Sequence, residues 1–314
     1  KRQTREREMT RQRAKGRDLD GIVLLDKPVG LSSNDALQRA KRLFGARKAG
    51  HTGSLDRLAS GLLPICLGEA TKISGVLLNA DKHYLATFRL GERTTTGDAE
   101  GEVLEQRPLE GVTRQSVEAA LARFIGPIEQ VPPMHSAIKY QGKPLYKLAH
   151  QGIEIERQPR SVVIHALDLL GFDGRDAEVS VGCCEGTYVR TLAEDVGEAL
   201  GCGAYVAALR RLGSGPYQSP AMVTLERLEA LAAEGTAALD EVILPVESAL
   251  EDWPGIRVPE DMAYYLRQGQ AVLVPRAPTR GWVRLYGGDA RLLGLGEVLD
   301  DGRIAPRRLF HPPA

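Results

Sequence analysis

One short stretch, Gly50-His51-Thr52-Gly53-Ser54-Leu55-Asp56-Arg57-Leu58-Ala59-Ser60-Gly61, sets a single carboxylate among small and polar residues. A carboxylate presented on a glycine-flanked turn can act as nucleophile or base; the plainer role is to close an Asx turn. A second stretch, Gly186-Thr187-Tyr188-Val189-Arg190, puts an aromatic ring and a guanidinium two residues apart. In extended backbone both would point the same way, a pairing suited to a flat base beside a carboxylate or phosphate. The plainer role for Arg190 is to pair with a surface acid.

Other machinery is missing from the sequence. There is no G-x-x-x-x-G-K-[ST] segment, no G-x-G-x-x-G after a strand and no G-x-S-x-G elbow. The six histidines lack metal-binding spacing, and the four cysteines form no C-x-x-C pair. Neither a metal nor an organic cofactor is expected, nor a disulfide.

The 314 residues exceed one typical domain, and 43% hydrophobic with 26% charged residues is the balance of a soluble globular protein. No apolar run approaches the ~20 residues of a membrane span, and the arginine-rich start lacks the apolar core of a secretory signal. This predicts a cytoplasmic protein. The net charge of zero conceals a gradient: residues 1–18 carry eight basic against three acidic side chains. A flexible basic tail on a mildly acidic body predicts a polyanionic partner.

The elements that must position these residues follow from periodicity. Gly21–Asp26 is a short apolar strand stopped by Lys27-Pro28-Val29-Gly30, and Ser32 or Ser33 caps a helix ending at Gly45. Gly50–Gly61 is a loop, Leu62–Leu67 a strand and Glu69–Leu78 a helix. Tyr84, Ala86, Phe88 and Leu90 alternate as on a strand, and Val117, Ala120, Leu121 and Phe124 make a helix face. A proline- and glycine-punctuated basic stretch, about 132–152, has the length of a binding loop. A strand through Val179–Cys183, a helix from Val189 to Leu200 and a strand over Tyr205–Leu212 follow. Residues 219–250 read as helical and acidic. After Trp253-Pro254-Gly255, strands near Ala271–Val274, Gly281–Tyr286, Leu292–Val298 and Arg303–Leu309 predict a compact β-barrel.

Residues 50–64 closely resemble the catalytic segment of the TruB family, the bacterial tRNA pseudouridine-55 synthases. So do Gly21–Ser33 with its Leu-Asp-Lys-Pro-x-Gly, Gly68-Glu69-Ala70-Thr71-Lys72, Asp81–Tyr84, Pro132–Tyr146, Gly186–Thr191 and Leu209-Arg210-Arg211-Leu212. These seven blocks run in the family's order from about residue 19 to 310. The resemblance implies an α/β fold of the α+β type: a catalytic domain (19–252) around a mixed, largely antiparallel sheet, with a tRNA-clamping insertion (about 132–152). A small PUA-like RNA-binding β-barrel (253–314) would follow, and the basic tail (1–18) precede.

The implied activity is isomerisation of uridine to pseudouridine at position 55 of the TΨC loop of tRNA, with no cofactor, no metal and no obligate protein partner, by a monomer. Asp56 would be the essential carboxylate, attacking C1′ or abstracting the C2′ proton, and Arg190 its ion-pair partner. Tyr84 would stack on the extruded uracil and receive the C5 proton. Tyr188 and Leu209 would line the pocket, His51 would hold the RNA loop and Lys72 would sit near the tRNA backbone.

The sequence departs from the family pattern at three places. Arg57 replaces the proline that follows the aspartate, leaving Arg190 and packing to orient Asp56. Glu185 replaces a lysine, which suggests that Arg57 offsets Glu185 near the RNA path. His135 stands where tyrosine or phenylalanine is usual and retains the ability to stack. Two other readings compete: a guide-RNA-dependent pseudouridine synthase, and a tRNA-folding chaperone with incidental catalysis.

Overall fold

A computed structural model describes residues 16–311. The expected basic tail lies, for residues 1–15, outside the described residues. Arg17 is fixed to the body: it forms an ion pair with Asp240 and donates to the Phe44 carbonyl.

Strand β1 (Gly21–Lys27) leads into helix α1 (Ser33–Phe44). Ser32 caps α1 by accepting the Asp35 N–H, and Gly45 ends it with a left-handed φ of 59°. Strands β2 (Ala49–His51) and β3 (Ser60–Leu67) flank the Asp56 loop. A 3₁₀ segment, Gly68–Ile73, and α2 (Ser74–Leu78) replace the single helix expected there. Next come β4 (Lys82–Leu90), the hairpin β5 (Glu92–Thr94) and β6 (Val103–Gln106), α3 (Arg114–Ala122) and β7 (Gly126–Gln130). The long basic stretch folds locally as β8 (Lys139–Tyr140), β9 (Lys143–Pro144) and α4 (Leu145–Ala149). Beyond it lie β10 (Arg160–Phe172), β11 (Asp176–Cys183), α5 (Val189–Leu200) and β12 (Ala204–Ser214).

After the short β13 (Tyr217–Gln218), the segment 219–250 expected to be helical holds β14 (Val223–Thr224), α6 (Leu225–Glu234) and α7 (Thr236–Asp240). Gly235, at φ 129°, separates the two helices.

One sheet organises the body, in the order β14-β1-β3-β12-β4-β11-β10-β7, with β2 on β3 and β13 on β12. Its pairs are antiparallel except β1–β14 and β3–β12. Along β4 every second residue is buried, the alternation of a strand with one face on the core. That face packs on α3 and α5 through Phe88, Val117, Leu121, Leu192 and Val196. Helix α1 buries Leu37, Ala40 and Phe44 against Val23, Leu25, Leu63 and Ile65. Each such large side chain contributes about 1.5–3 kcal/mol. Strand β12 lies centrally, pairing Arg211 with Tyr84 on β4 and with Gly61 on β3. Gly61 is required there: at φ 100°, a Cβ would sit 2.2 Å from the Arg211 carbonyl oxygen.

The C-terminal unit is a four-stranded sheet, β15 (Gly255–Arg257), β16 (Gly281–Tyr286), β17 (Leu292–Val298) and β18 (Ile304–Leu309), with α8 (Glu260–Arg267) against it. It fits a PUA-like domain. The strand expected near Ala271–Val274 is only a bridge between Val272 and Ile304. No helix among the described residues is long and apolar enough to cross a membrane.

Candidate active site

The Asp56 loop is clamped on both sides of the carboxylate. Ser33, buried at the start of α1, accepts the Leu55 N–H at 2.7 Å and donates to the Leu55 carbonyl at 3.0 Å. Gly30 N–H donates to the Arg57 carbonyl at 2.7 Å, and Ala59 N–H to the Asp56 carbonyl at 3.1 Å. The rigidity a following proline would supply therefore comes from the turn after β1 and from the helix start. Packing and Arg190 were expected to do this work; these backbone clamps were not.

Arg190 faces Asp56 directly, its Nε 3.0 Å from Oδ2. Its remaining donors are occupied: Nη1 donates to the Thr96 carbonyl (3.2 Å) and Nη2 to the His135 carbonyl (2.8 Å). The Asp98 carboxylate lies 3.8 Å from Nε. Arg190 is 5% exposed, whereas 41% of the Asp56 side chain reaches the surface. A buried guanidinium with satisfied donors thus aims one partly open carboxylate. Desolvation pushes the Asp56 pKa above the usual carboxylate value, and Arg190 pulls it back down.

The extended reading of residues 186–190 does not hold. Gly186 turns the chain at φ 76°, Tyr188 is the N-cap and Arg190 lies in the first turn of α5. The apolar period of Val189, Leu192, Ala193 and Val196 already governs this segment, so strand alternation does not relate Tyr188 to Arg190. Gln130, at the end of β7, fixes the helix start by accepting the Tyr188 N–H (3.0 Å) and donating to its carbonyl (3.2 Å).

Tyr84 is buried on β4 opposite Arg211. Burial raises its pKa, while the neighbouring Arg211 opposes the rise. Leu209 is partly buried against the cluster containing Leu55, Tyr84 and Val189. His51 lies on β2, its pKa lowered by burial and by Arg211. The His51 Nδ1 and the adjacent Thr52 Oγ1 are buried with no hydrogen-bond partner among the described residues.

Lys72 is placed differently. Its ammonium donates to Glu69 (2.5 Å) and to the Leu309 carbonyl (2.8 Å), where the body meets the C-terminal unit. Those acceptors hold its ammonium at the junction of the two units. Arg57 and Glu185 also part company: Arg57 lies near Asp35 and Lys27, and Glu185 near Lys82. They form no ion pair among the described residues.

Three residues of the site escaped the sequence reading. Arg211, 1% exposed, donates from Nε to the Leu62 carbonyl (2.6 Å) and from Nη2 to the Gly53 carbonyl (3.1 Å). Lys27, fully buried, donates to the carbonyls of Pro28 and Leu31, and burial lowers its pKa to about 8 although Asp56 works against this. Asp98 completes the set. Lys27 and Arg211 stood within recognised motifs, yet nothing in the sequence separates a buried cation from a solvated one; Asp98 lay in none of them. Among the described residues no group of three or more His, Cys, Asp or Glu could hold a metal.

Comparison with known proteins agrees with this geometry. Residues 41–189 match the N-terminal domain of the TruB family pseudouridylate synthases, residues 190–251 the tRNA pseudouridylate synthase B C-terminal domain, and residues 254–310 the pseudouridine synthase II TruB C-terminal region. The chain is 57% identical to the tRNA pseudouridine synthase B of Nitrosococcus oceani, over 95% of this chain and 97% of that protein. Identity to the protein of the same name from Ectopseudomonas mendocina is 56%, over 95% and 97%. Among solved structures, a Cbf5-Nop10-Gar1 complex holds a chain 26% identical, with TM-score 0.73 over 96% of this chain and 87% of that one. An archaeal box H/ACA Nop10-Cbf5 complex gives 26% and 0.71 over 94% and 87%. The chain belongs to the TruB family of tRNA pseudouridine synthases, isomerases that act on uridine in tRNA.

Proposed function

We propose that the enzyme converts uridine 55 of the tRNA TΨC loop to pseudouridine through Asp56. The observation that carries this is the 3.0 Å contact between the buried Arg190 Nε and the partly open Asp56 carboxylate. A uridine stacked in its loop hides C1′ and C2′, so the nucleotide must first swing out. The unpartnered His51 Nδ1 and Thr52 Oγ1 offer polar contacts to the displaced loop.

The N1–C1′ bond then breaks, with Asp56 either bonding to C1′ or removing the C2′ proton. The uracil turns, and C5 joins C1′ as the Asp56–C1′ bond breaks or as Asp56 returns the proton to C2′. The proton displaced from C5 passes through the Tyr84 hydroxyl, which takes it up as it gives its own to solvent, and N1 of the product base takes a proton in exchange. Arg211 beside Tyr84 opposes the rise in pKa that burial causes. Tyr188 and Leu209 close the pocket against water that would hydrolyse an intermediate. The reaction needs neither metal nor cofactor.

Phosphate contacts are expected at a basic block: residues 36–55 contain no acid, and Arg39, Arg42, Arg47 and Lys48 are exposed. The insertion at 132–152 would clamp the RNA; the contact of its His135 carbonyl with Arg190 supports this reading. Arg276, Arg280 and Arg308 on the C-terminal unit are exposed for further backbone contact. The enzyme acts as a cytoplasmic monomer without guide RNA. The high identity to proteins named tRNA pseudouridine synthase B favours this over the guide-dependent reading.

Tritium release from tRNA labelled at uridine C5 tests the mechanism. The native protein releases label, and Asp56→Asn releases none while still binding tRNA. If both proteins bind and neither releases label, the chaperone reading stands instead.

A further inference from the structure

Among the carboxylates that the chemistry above leaves unused, the half-buried Glu194 lies against the groups that hold Arg190. The two residues are four apart on α5 and share one helix face. The Glu194 carboxylate fills the space that a side chain at position 97 would need. A Cβ on Gly97 would sit 3.1 Å from the Glu194 Cδ and 3.2 and 3.3 Å from its oxygens. Gly97 is at φ 72°, with its N–H on the Thr94 carbonyl and its own carbonyl accepting from Val206.

The residues on either side of Gly97 are Thr96, whose carbonyl accepts from Arg190, and Asp98, whose carboxylate faces Arg190. Thr94 and Thr96 hydroxyls both bond to Asp98, so the loop moves as one piece. Glu194 also lies between two cations. Arg190 is on the cleft side; Arg93, on the other, faces Glu198 at 3.3 Å and Glu105 at 3.8 Å. Burial and the nearby Asp195 and Glu198 raise the Glu194 pKa, against Arg93 and Arg190.

We propose that Glu194 is a positioning residue for the isomerisation: seated in the recess at Gly97, it braces the Thr94–Asp98 loop so that Thr96 and Asp98 aim Arg190 at Asp56. The proposal rests on the Asp56 reading above. Its mode is steric, so a glutamine of the same shape serves where an alanine does not.

The test uses the full chain and full-length tRNA. Glu194→Ala lowers kcat roughly ten- to a hundredfold, the scale of a small misplacement at a reacting centre, with KM for tRNA within about twofold. Glu194→Gln returns kcat to within about threefold of native. Gly97→Ala presses a methyl group onto the carboxylate and reproduces the kcat loss without moving KM. Combined with Asp98→Asn, Glu194→Ala adds less than its own factor, because both act through Arg190. Native kcat in Glu194→Ala or in Gly97→Ala overturns the proposal. So does a loss that appears in KM, that glutamine fails to rescue, or that multiplies fully with Asp98→Asn. Failure of the Asp56 reading shows separately, as label release by Asp56→Asn.

Discussion

Arg190 and Arg211 reach across 55 to 158 residues of sequence to their acceptors, whereas Arg303 and Arg291 pair with acids two residues away. The first two are buried and bind backbone carbonyls from several elements; the second two are exposed on the C-terminal sheet. A buried cation that donates to carbonyls from several elements ties distant segments into one geometry, and its loss leaves those carbonyls unpaired. An exposed ion pair between neighbours ties nothing together and is screened by salt. The cleft thus commits these arginines to distant backbone carbonyls; the C-terminal unit leaves Arg291 and Arg303 in exposed pairs with neighbouring acids.

Substitutions can break or sharpen that contrast. Arg190→Gln should have the largest effect on activity, a fall in kcat of about a hundredfold or more with tRNA affinity retained. It also moves the acid limb of the pH profile. On the proposed mechanism the active form is the ionised Asp56 carboxylate, whose pKa burial raises and Arg190 lowers. Without Arg190 that pKa rises further, so activity in single-turnover label release is lost at a higher pH than in the native enzyme.

Next in size is Arg211→Met, which strands the Leu62 and Gly53 carbonyls at a cost of about 2–4 kcal/mol. Denaturant unfolding measures it, and an unchanged midpoint would erase the distinction between the two regions. Arg303→Ala, at the small end, should leave stability within about 0.5 kcal/mol by the same measurement.

The sequence was most informative where one physical signal dominated. The alternation along β4, the helical period of α1 and the glycine-flanked Asp56 loop all reappear in the structure. It was least informative where two signals competed. The Tyr188–Arg190 pair reads as strand by continuity with β11, yet the apolar period that begins at Val189 makes it a helix start. Helix α8 was hidden because its exposed Tyr264 and Tyr265 interrupt a stripe that buries only Ala263 and Leu266. Lys72 shows the limit for charged groups: its motif was recognised, but its acceptor, the Leu309 carbonyl, lies 237 residues further on.

That junction has a consequence for how the chain can be divided. Besides the Lys72 contact, the His311 N–H bonds to Glu69, and Leu295, Leu292 and Phe310 join Leu250 and Trp253 in a single apolar cluster with Ile22 and Leu62. Severing the polypeptide at Pro254 would uncover greasy surface on both fragments and deprive the segment just past the catalytic loop of its anchor. The last sixty residues are therefore less an appendage than a keystone.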